Sequence, residues 1–282
     1  IKLKILGKYN SEGRLSHTPK NADIYFAASE DERENLKELL SLKPVRTISG
    51  VAPIALMSEP YPCPHTMKGI GPCTYCPGGP GSAFGNVPQS YTGKEPSTRR
   101  AIRNNYDPYL IVFNRLEHYI AMGKVPDKAE IIIQGGTFTF FPKQYQEYFV
   151  KYALKAMNDF SRLFFYDDGE LDILKFKKFF ELPRILNEDS NRTKKIQQKL
   201  LHIKNLDLND FKVKNKIDKL FFENNFNNNA LGKIENNNQN EINVSEQNTS
   251  LNIIENEIED PSILAIKNLQ NKLKNEGNKN LS

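Results

Sequence analysis

The 282-residue sequence predicts an α/β fold in which parallel strands alternate with helices. Three observations carry this: an apolar run over 51–58, a second, β-branched run over 129–133, and a helix-patterned segment after each. Strand, helix, strand, helix implies parallel pairing with right-handed crossovers. In such folds ligands bind at the carboxyl ends of the strands.

The elements follow in order. Val51 to Ser58 suits a buried strand, although Pro53 weakens it because proline donates nothing to a ladder. A long loop, 59–89, comes next. Asp107 then offers an N-cap and Pro108 a first-turn proline. Leu110, Phe113, Leu116 and Ile120 form an apolar stripe at helical spacing, which Gly123 stops. The second strand runs into Gln134, Gly135, Gly136 and Thr137. Pro142 opens another amphipathic helix, with Tyr145, Tyr148, Phe149 and Tyr152, that ends near Asn158. Both the 59–89 loop and the Gly-Gly-Thr turn fall at strand carboxyl ends, which points to one shared site.

Three regions differ in composition. Residues 1–43 are polar with a helix expected at 30–42 and read as an arm that binds RNA; unchanged RNA affinity on deleting them would end that reading. Almost all the Pro and Gly lie before residue 185, and residues 44–184 hold most of them and every cysteine. Residues 185–282 turn to Asn, Lys, Glu and Ile, as in the tracts 224–229 and 236–240, and read as an insertion or tail. Within it, 193–221 and 262–274 have helix-like spacing and are expected as exposed or partner-dependent helices. Only 38% of the chain is hydrophobic, in keeping with part of it lying outside a core. No apolar run is long enough to cross a bilayer, so no membrane partner is expected. The net charge of +5 mildly favours an anionic partner such as RNA. The first residue is Ile1 rather than Met, which reads as a fragment or a processed product.

All three cysteines, Cys63, Cys73 and Cys76, sit in the 59–89 loop. An odd trio is a poor disulfide framework. Three soft thiolates on one loop suit an iron–sulfur cluster with one iron left open. Structural zinc with His65 as fourth ligand is an alternative, and inert thiols are another. Against inert thiols, the loop carries Pro60, Pro62, Pro64, Pro72, Pro77, Gly78, Gly79 and Pro80, which is not core composition. Thiols that must stay reduced point to the cytoplasm.

The cysteine loop, with Tyr75 just before Cys76, resembles the cluster loop of radical S-adenosylmethionine (SAM) enzymes, and the Gly135-Gly136-Thr137 turn resembles their site for the SAM methionine group. The stretches 44–50, 62–65, 75–80, 89–96, 100–108 and 135–138 are similar to the Elongator catalytic subunit and its stand-alone archaeal forms, with the resemblance running from about residue 17 to about 158. That family is a tRNA carboxymethyluridine synthase acting at the wobble uridine. The resemblance implies the N-terminal portion of a partial (βα) barrel. It implies that Cys63, Cys73 and Cys76 hold a [4Fe–4S] cluster whose fourth iron takes SAM. Reductive cleavage of SAM would give a 5′-deoxyadenosyl radical, which would abstract hydrogen from the methyl group of acetyl-CoA; the carbon radical would then add to uridine.

Further roles are implied by the same resemblance. Tyr75 would pack on adenine or shield the cluster, and Gly135, Gly136 and Thr137 would contact SAM. Lys128 resembles a lysine associated with acetyl-CoA. Arg46, Arg99, Arg100 and Arg103 are candidates for tRNA phosphates, with Tyr91 and Tyr106 as stacking faces; a solvated charged face is the plainer alternative. His65 is left to orient the loop, since a fourth protein ligand would displace SAM. The resemblance also implies about six strand–helix units, of which two are legible. An acetyltransferase cradle needs a Gly-rich turn, and beyond 185 only Gly232 and Gly277 remain. That domain is therefore expected to be absent or supplied by a separately encoded partner. A non-catalytic tRNA-binding iron–sulfur protein and a zinc-binding adaptor are the other two functions the sequence leaves open.

Overall fold

The computed structural model describes residues 7–9, 11–13, 19–40, 49–182 and 189–223. Its elements run α1 (Asn21–Ala27), α2 (Glu30–Leu40), β1 (Val51–Met57), α3 (Pro64–Met67), α4 (Pro96–Arg103), α5 (Pro108–Ala121), β2 (Lys128–Gln134), a 3-10 turn (Phe138–Phe140), α6 (Lys143–Phe164), α7 (Ile173–Phe179), α8 (Asp189–Lys204), α9 (Phe211–Asp218) and a π turn (Lys219–Glu223).

The α/β class and the parallel pairing are as expected. β1 lies beside β2 in register from Val51↔Lys128 to Met57↔Gln134, with α4 and α5 forming the crossover. Pro53 is accommodated because its carbonyl accepts from the Tyr119 hydroxyl at 2.8 Å rather than from a strand. Successive residues of a strand alternate the edge they address, so the N–H that proline lacks would face that same edge. Among the described residues the sheet has these two strands only.

α5 starts where Asp107 Oδ1 accepts from Tyr109 N–H at 2.9 Å and Leu110 N–H at 3.2 Å, with Pro108 in its first turn. Its buried set is wider than the predicted stripe. Tyr109, Ile111, Val112 and Tyr119 join Leu110, Phe113, Leu116 and Ile120, because the helix is covered by β1 on one side and by α6 and α8 on others. Each such side chain contributes about 1.5–3 kcal/mol by leaving water. Gly123, at φ +76°, ends it.

α6 runs six residues beyond the expected end. Tyr145, Phe149, Ala153, Ala156, Phe160 and Leu163 recur at spacings of three and four and face the core. After it the chain makes a tight turn closed by a Phe165–Leu171 bridge, then turns helical instead of supplying a third strand.

The stretch from 189 to 223 corrects the expectation of exposed helices in a tail. Ile196, Leu200, Ile203, Leu208, Ile217 and Phe221 are buried in the same core as β1 and α5. Polar ties reinforce the docking. Arg192 pairs with Glu117 at 2.6 Å, both buried, and Lys204 reaches Asp107 at 2.7 Å and the Tyr148 hydroxyl at 2.7 Å. The tracts 224–229 and 236–240, the expected helix at 262–274, Gly232 and Gly277 lie outside the described residues.

The expected helix at 30–42 is α2, Glu30–Leu40. The polar segment before it is not a free arm throughout: Phe26 is buried and stacks on Phe176 of α7, and Lys177 Nζ donates to the Phe26 carbonyl. No helix among the described residues is long and apolar enough to cross a membrane.

Candidate functional site

The carboxyl ends of both strands are held level. Ser58 N–H donates to the Gln134 carbonyl at 2.9 Å, so the cysteine loop and the Gly-Gly turn leave the sheet side by side. Aromatic packing fixes the first part of the loop: Tyr61 stacks on Phe141 at 4.5 Å between centroids, and Phe141 on Tyr145 at 4.7 Å. The Tyr145 hydroxyl accepts from Glu59 N–H at 3.0 Å.

Cys63 is the N-cap of α3, which Pro64 opens, and its Sγ lies 3.3 Å from Thr66 Oγ1. Cys73 Sγ faces His65 Nδ1 at 3.6 Å. Cys76 is the most enclosed by polar groups. Its thiol donates to the Gly78 carbonyl at 3.1 Å, Gln89 Nε2 donates to its Sγ at 2.9 Å, and Ser90 Oγ stands 3.6 Å away. Two glycines make this geometry possible. A Cβ on Gly78 would lie 2.1 Å from the Tyr91 carbonyl oxygen, and one on Gly79 would lie 2.6 Å from the Gln89 amide.

Gln89 also joins the loop to the second strand, because its main-chain carbonyl accepts from Gly136 N–H at 3.2 Å. Gly135 has φ +112°, and a Cβ there would meet Ser58 Oγ at 2.3 Å. Gly136 and Thr137 are exposed beside the loop. The buried Ser58 Oγ and Gln134 Oε1 have no hydrogen-bond partner, so the strand ends retain unspent polar capacity.

Local donors prepare two of the thiols for ionisation. Burial works against the Cys76 thiolate, but the Ser90 hydroxyl, the Gln89 amide and nearby main-chain groups outweigh it and bring its pKa below the ordinary thiol value. Cys63 behaves alike: burial is outweighed by the Thr66 hydroxyl and by the main-chain groups of Thr66 and His65, while the charge of Cys76 pushes it up. Among the described residues, no three His, Cys, Asp or Glu side chains are grouped as a metal ion would hold them. Cys63 nonetheless feels the charge of Cys76, a repulsion that a bound cation would relieve.

Comparison with known proteins now adds the lineage. Residues 1–48 match the model of the ELP3 N-terminal domain. A tRNA uridine(34) acetyltransferase of Methanocaldococcus jannaschii is 49% identical over 140 residues, covering 50% of this chain and 25% of the relative. The Elongator complex protein 3 of Dictyostelium discoideum is 44% identical over 156 residues, and that of Homo sapiens 42% over 158, each covering 28% of the relative. About half of this chain is thus similar to proteins named tRNA uridine(34) acetyltransferase and Elongator complex protein 3. The chain spans about a quarter of the length of these relatives.

The expected site residues separate into two groups in the structure. Cys63, Cys73, Cys76, Gly135, Gly136 and Thr137 lie together at the strand carboxyl ends. Tyr75 is there too, 83% exposed, with its phenol pushed up by a hydrogen bond with Cys73 and by that residue's charge. Lys128 is exposed at the opposite end of β2, roughly 20 Å of strand away at about 3.3 Å per residue.

The arginines are also elsewhere. Arg99 and Arg103 are exposed on α4, and Arg100 is half-buried, brought down to about 10 by burial and by Arg115 and Arg103. Arg115 stacks over Tyr119, whose hydroxyl reaches Pro53 in the first half of β1, away from the cysteines. Arg46 lies outside the described residues. Tyr91 and Tyr106 pack against the core, and the Tyr106 hydroxyl is buried, pushed up to about 12 by burial and the charge of Glu59. Sequence reasoning did not single out Gln89, Ser90, Ser58 or Thr66. The one signal for Gln89 was its place in the stretch 89–96.

Proposed function

We propose that this chain carries the cluster-binding part of an Elongator-type enzyme that modifies uridine 34 of tRNA. The observation behind this is the juxtaposition of three cysteines and a Gly-Gly turn at the ends of two parallel strands, joined through Gln89.

The residues present fit a [4Fe–4S] cluster with SAM. Three half-buried thiols form a soft donor set on one loop, two of them already eased toward thiolate. The accessible backbone of Gly136 and Thr137, with the unsatisfied Ser58 hydroxyl nearby, offers polar contacts for an amino acid group. Cys63, Cys73 and Cys76 would hold the cluster, and Gly135, Gly136 and Thr137 would bind the methionine part of SAM. When bound, cluster and SAM together supply one-electron radical chemistry directed at the acetyl group of acetyl-CoA. Tyr75 would cover the site from solvent. Lys128, far from the strand carboxyl ends, would meet the phosphates of acetyl-CoA rather than its reacting carbon. Arg99, Arg100 and Arg103 would meet tRNA phosphates on a separate face.

Anaerobic reconstitution with iron and sulfide tests this reading. A brown protein with charge-transfer absorbance that cleaves SAM to 5′-deoxyadenosine, and a Cys76→Ala variant that does neither, is the expected result. His65 facing Cys73 is the observation on the side of zinc. A colourless protein holding one zinc through Cys63, Cys73, Cys76 and His65 would overturn the proposal. A cluster without SAM cleavage would leave a non-catalytic iron–sulfur protein.

A further inference from the structure

We infer that Gln89 is the positioning residue of this site: its side chain sets the properties of the Cys76 ligand while its backbone ties that ligand to the Gly135–Gly136 turn, an assignment that rests on the cluster reading above. Gln89 is only 7% exposed although it sits in a loop and carries an amide, so its polar atoms must be satisfied from within. They are satisfied in a directed way. The Gly78 carbonyl, 3.2 Å from Nε2, can only accept, and this turns the NH2 end of the amide toward the loop. The same NH2 lies 2.9 Å from Cys76 Sγ. The sulfur therefore receives an N–H donor whose orientation is fixed independently of the sulfur itself.

The surrounding backbone is shaped for this contact. Gly79 leaves the space the amide fills, since a Cβ there would sit 2.6–2.7 Å from its three terminal atoms. Ser90 adopts φ +71°, and its N–H donates to the same Gly78 carbonyl at 2.9 Å. On the other side, Gln89 main-chain O holds Gly136 N–H at 3.2 Å. One residue thus spans both parts of the site, with the thiol on its side chain and the turn on its backbone. A hydrogen bond to a cluster thiolate favours the reduced, more negative state and raises the reduction potential. The side chain acts on the cluster through Cys76.

The test compares wild type with three variants after anaerobic reconstitution with iron and sulfide. Gln89→Leu removes the donors at similar volume. Gln89→Glu keeps the shape but presents acceptors. Gly79→Ala leaves Gln89 intact and displaces its amide from the sulfur. Circular dichroism checks that each is folded. All three are expected to show a more negative midpoint potential than wild type, with Gln89→Glu shifted furthest, and to lose iron to a chelator roughly tenfold faster. Potentials and iron loss equal to wild type in Gln89→Leu and Gly79→Ala would overturn the inference, even if Gln89→Glu shifted through its added charge. A wild type that takes up no iron brings down the cluster reading and this assignment with it. A wild type with a cluster and unshifted variants sinks the assignment alone.

Discussion

The cysteine loop and the helical layer of α6 to α9 are stabilised by opposite means. In the loop, Cys63, Cys73 and Cys76 are each held by one to three polar contacts, and glycines clear the space those contacts need. In the helical layer, Phe160, Phe164, Phe176, Phe179 and Phe180 interlock with centroids 4.8–6.5 Å apart. A loss in the first region should disturb chemistry and spare the fold. A loss in the second should do the reverse. That separation is what a scaffold carrying a reactive loop requires.

The sharpest break of the contrast is Phe164→Ala. Its ring touches Phe160, Phe176, Phe179 and Phe180, so truncation leaves a cavity that the rigid neighbours cannot close. The expected cost is about 3–5 kcal/mol, read as a lower denaturation midpoint. Iron uptake by the fraction that remains folded should be unchanged. Next in size is Arg192→Met, at about 3 kcal/mol, because it removes the buried guanidinium that faces the Glu117 carboxylate, 3% exposed between α5 and α8. Adding Glu117→Leu should recover much of that loss. A double variant no more stable than Arg192→Met would show that the pair is not what docks α8.

The same two regions differ in how far the sequence reveals them. The strands, the caps of α5 and the cysteine loop were legible because each has a local signature: a β-branched run, Asp107 before Pro108, three thiols among prolines. α8 was not. Its buried positions, Ile196, Leu200 and Ile203, are three among many Lys, Gln and Asn residues, so composition hides a stripe that only its spacing discloses. Arg192 and Lys204 look like solvated cations until Glu117 and Asp107, some 75 and 97 positions earlier, come to face them. Gln89 was illegible for a further reason: its role depends on the space at Gly79 and the turn at Ser90, and neither carries a periodic pattern.

Between the two regions lies the entry to α4, where a pH measurement probes the loop's polar ties. Glu95 Oε1 accepts from Thr92 N–H and Thr92 Oγ1, both at 2.9 Å. Burial disfavours its charge, but those donors, its own N–H and Thr98 outweigh burial and bring it from 4.5 down to about 2. A carboxylate depressed on folding stabilises the protein above its unfolded value and stops doing so as pH falls from about 4.5 through about 2. Thr92→Val removes one donor. It should cost about 1 kcal/mol at neutral pH and flatten the acid limb of the stability curve over that window. An acid limb identical to wild type would mean that the hydroxyl contributes nothing there.

The smallest effect is the most discriminating. Ser90 holds φ +71°, a left-handed conformation that costs a non-glycine residue about 1–2 kcal/mol. Ser90→Gly relieves this cost but adds about 0.5–1 kcal/mol of unfolded-chain entropy and removes the hydroxyl 3.6 Å from Cys76 Sγ. The thermal midpoint should therefore rise only slightly, by the equivalent of about 0.5 kcal/mol, while the reconstituted cluster shifts less than in Gln89→Leu. If the backbone turn at Ser90 exists to present Gln89 and the Gly78 carbonyl to the sulfur, glycine keeps that presentation and the site survives. A large loss of iron in Ser90→Gly would instead make the hydroxyl the principal partner of Cys76 and reduce Gln89 to a spacer.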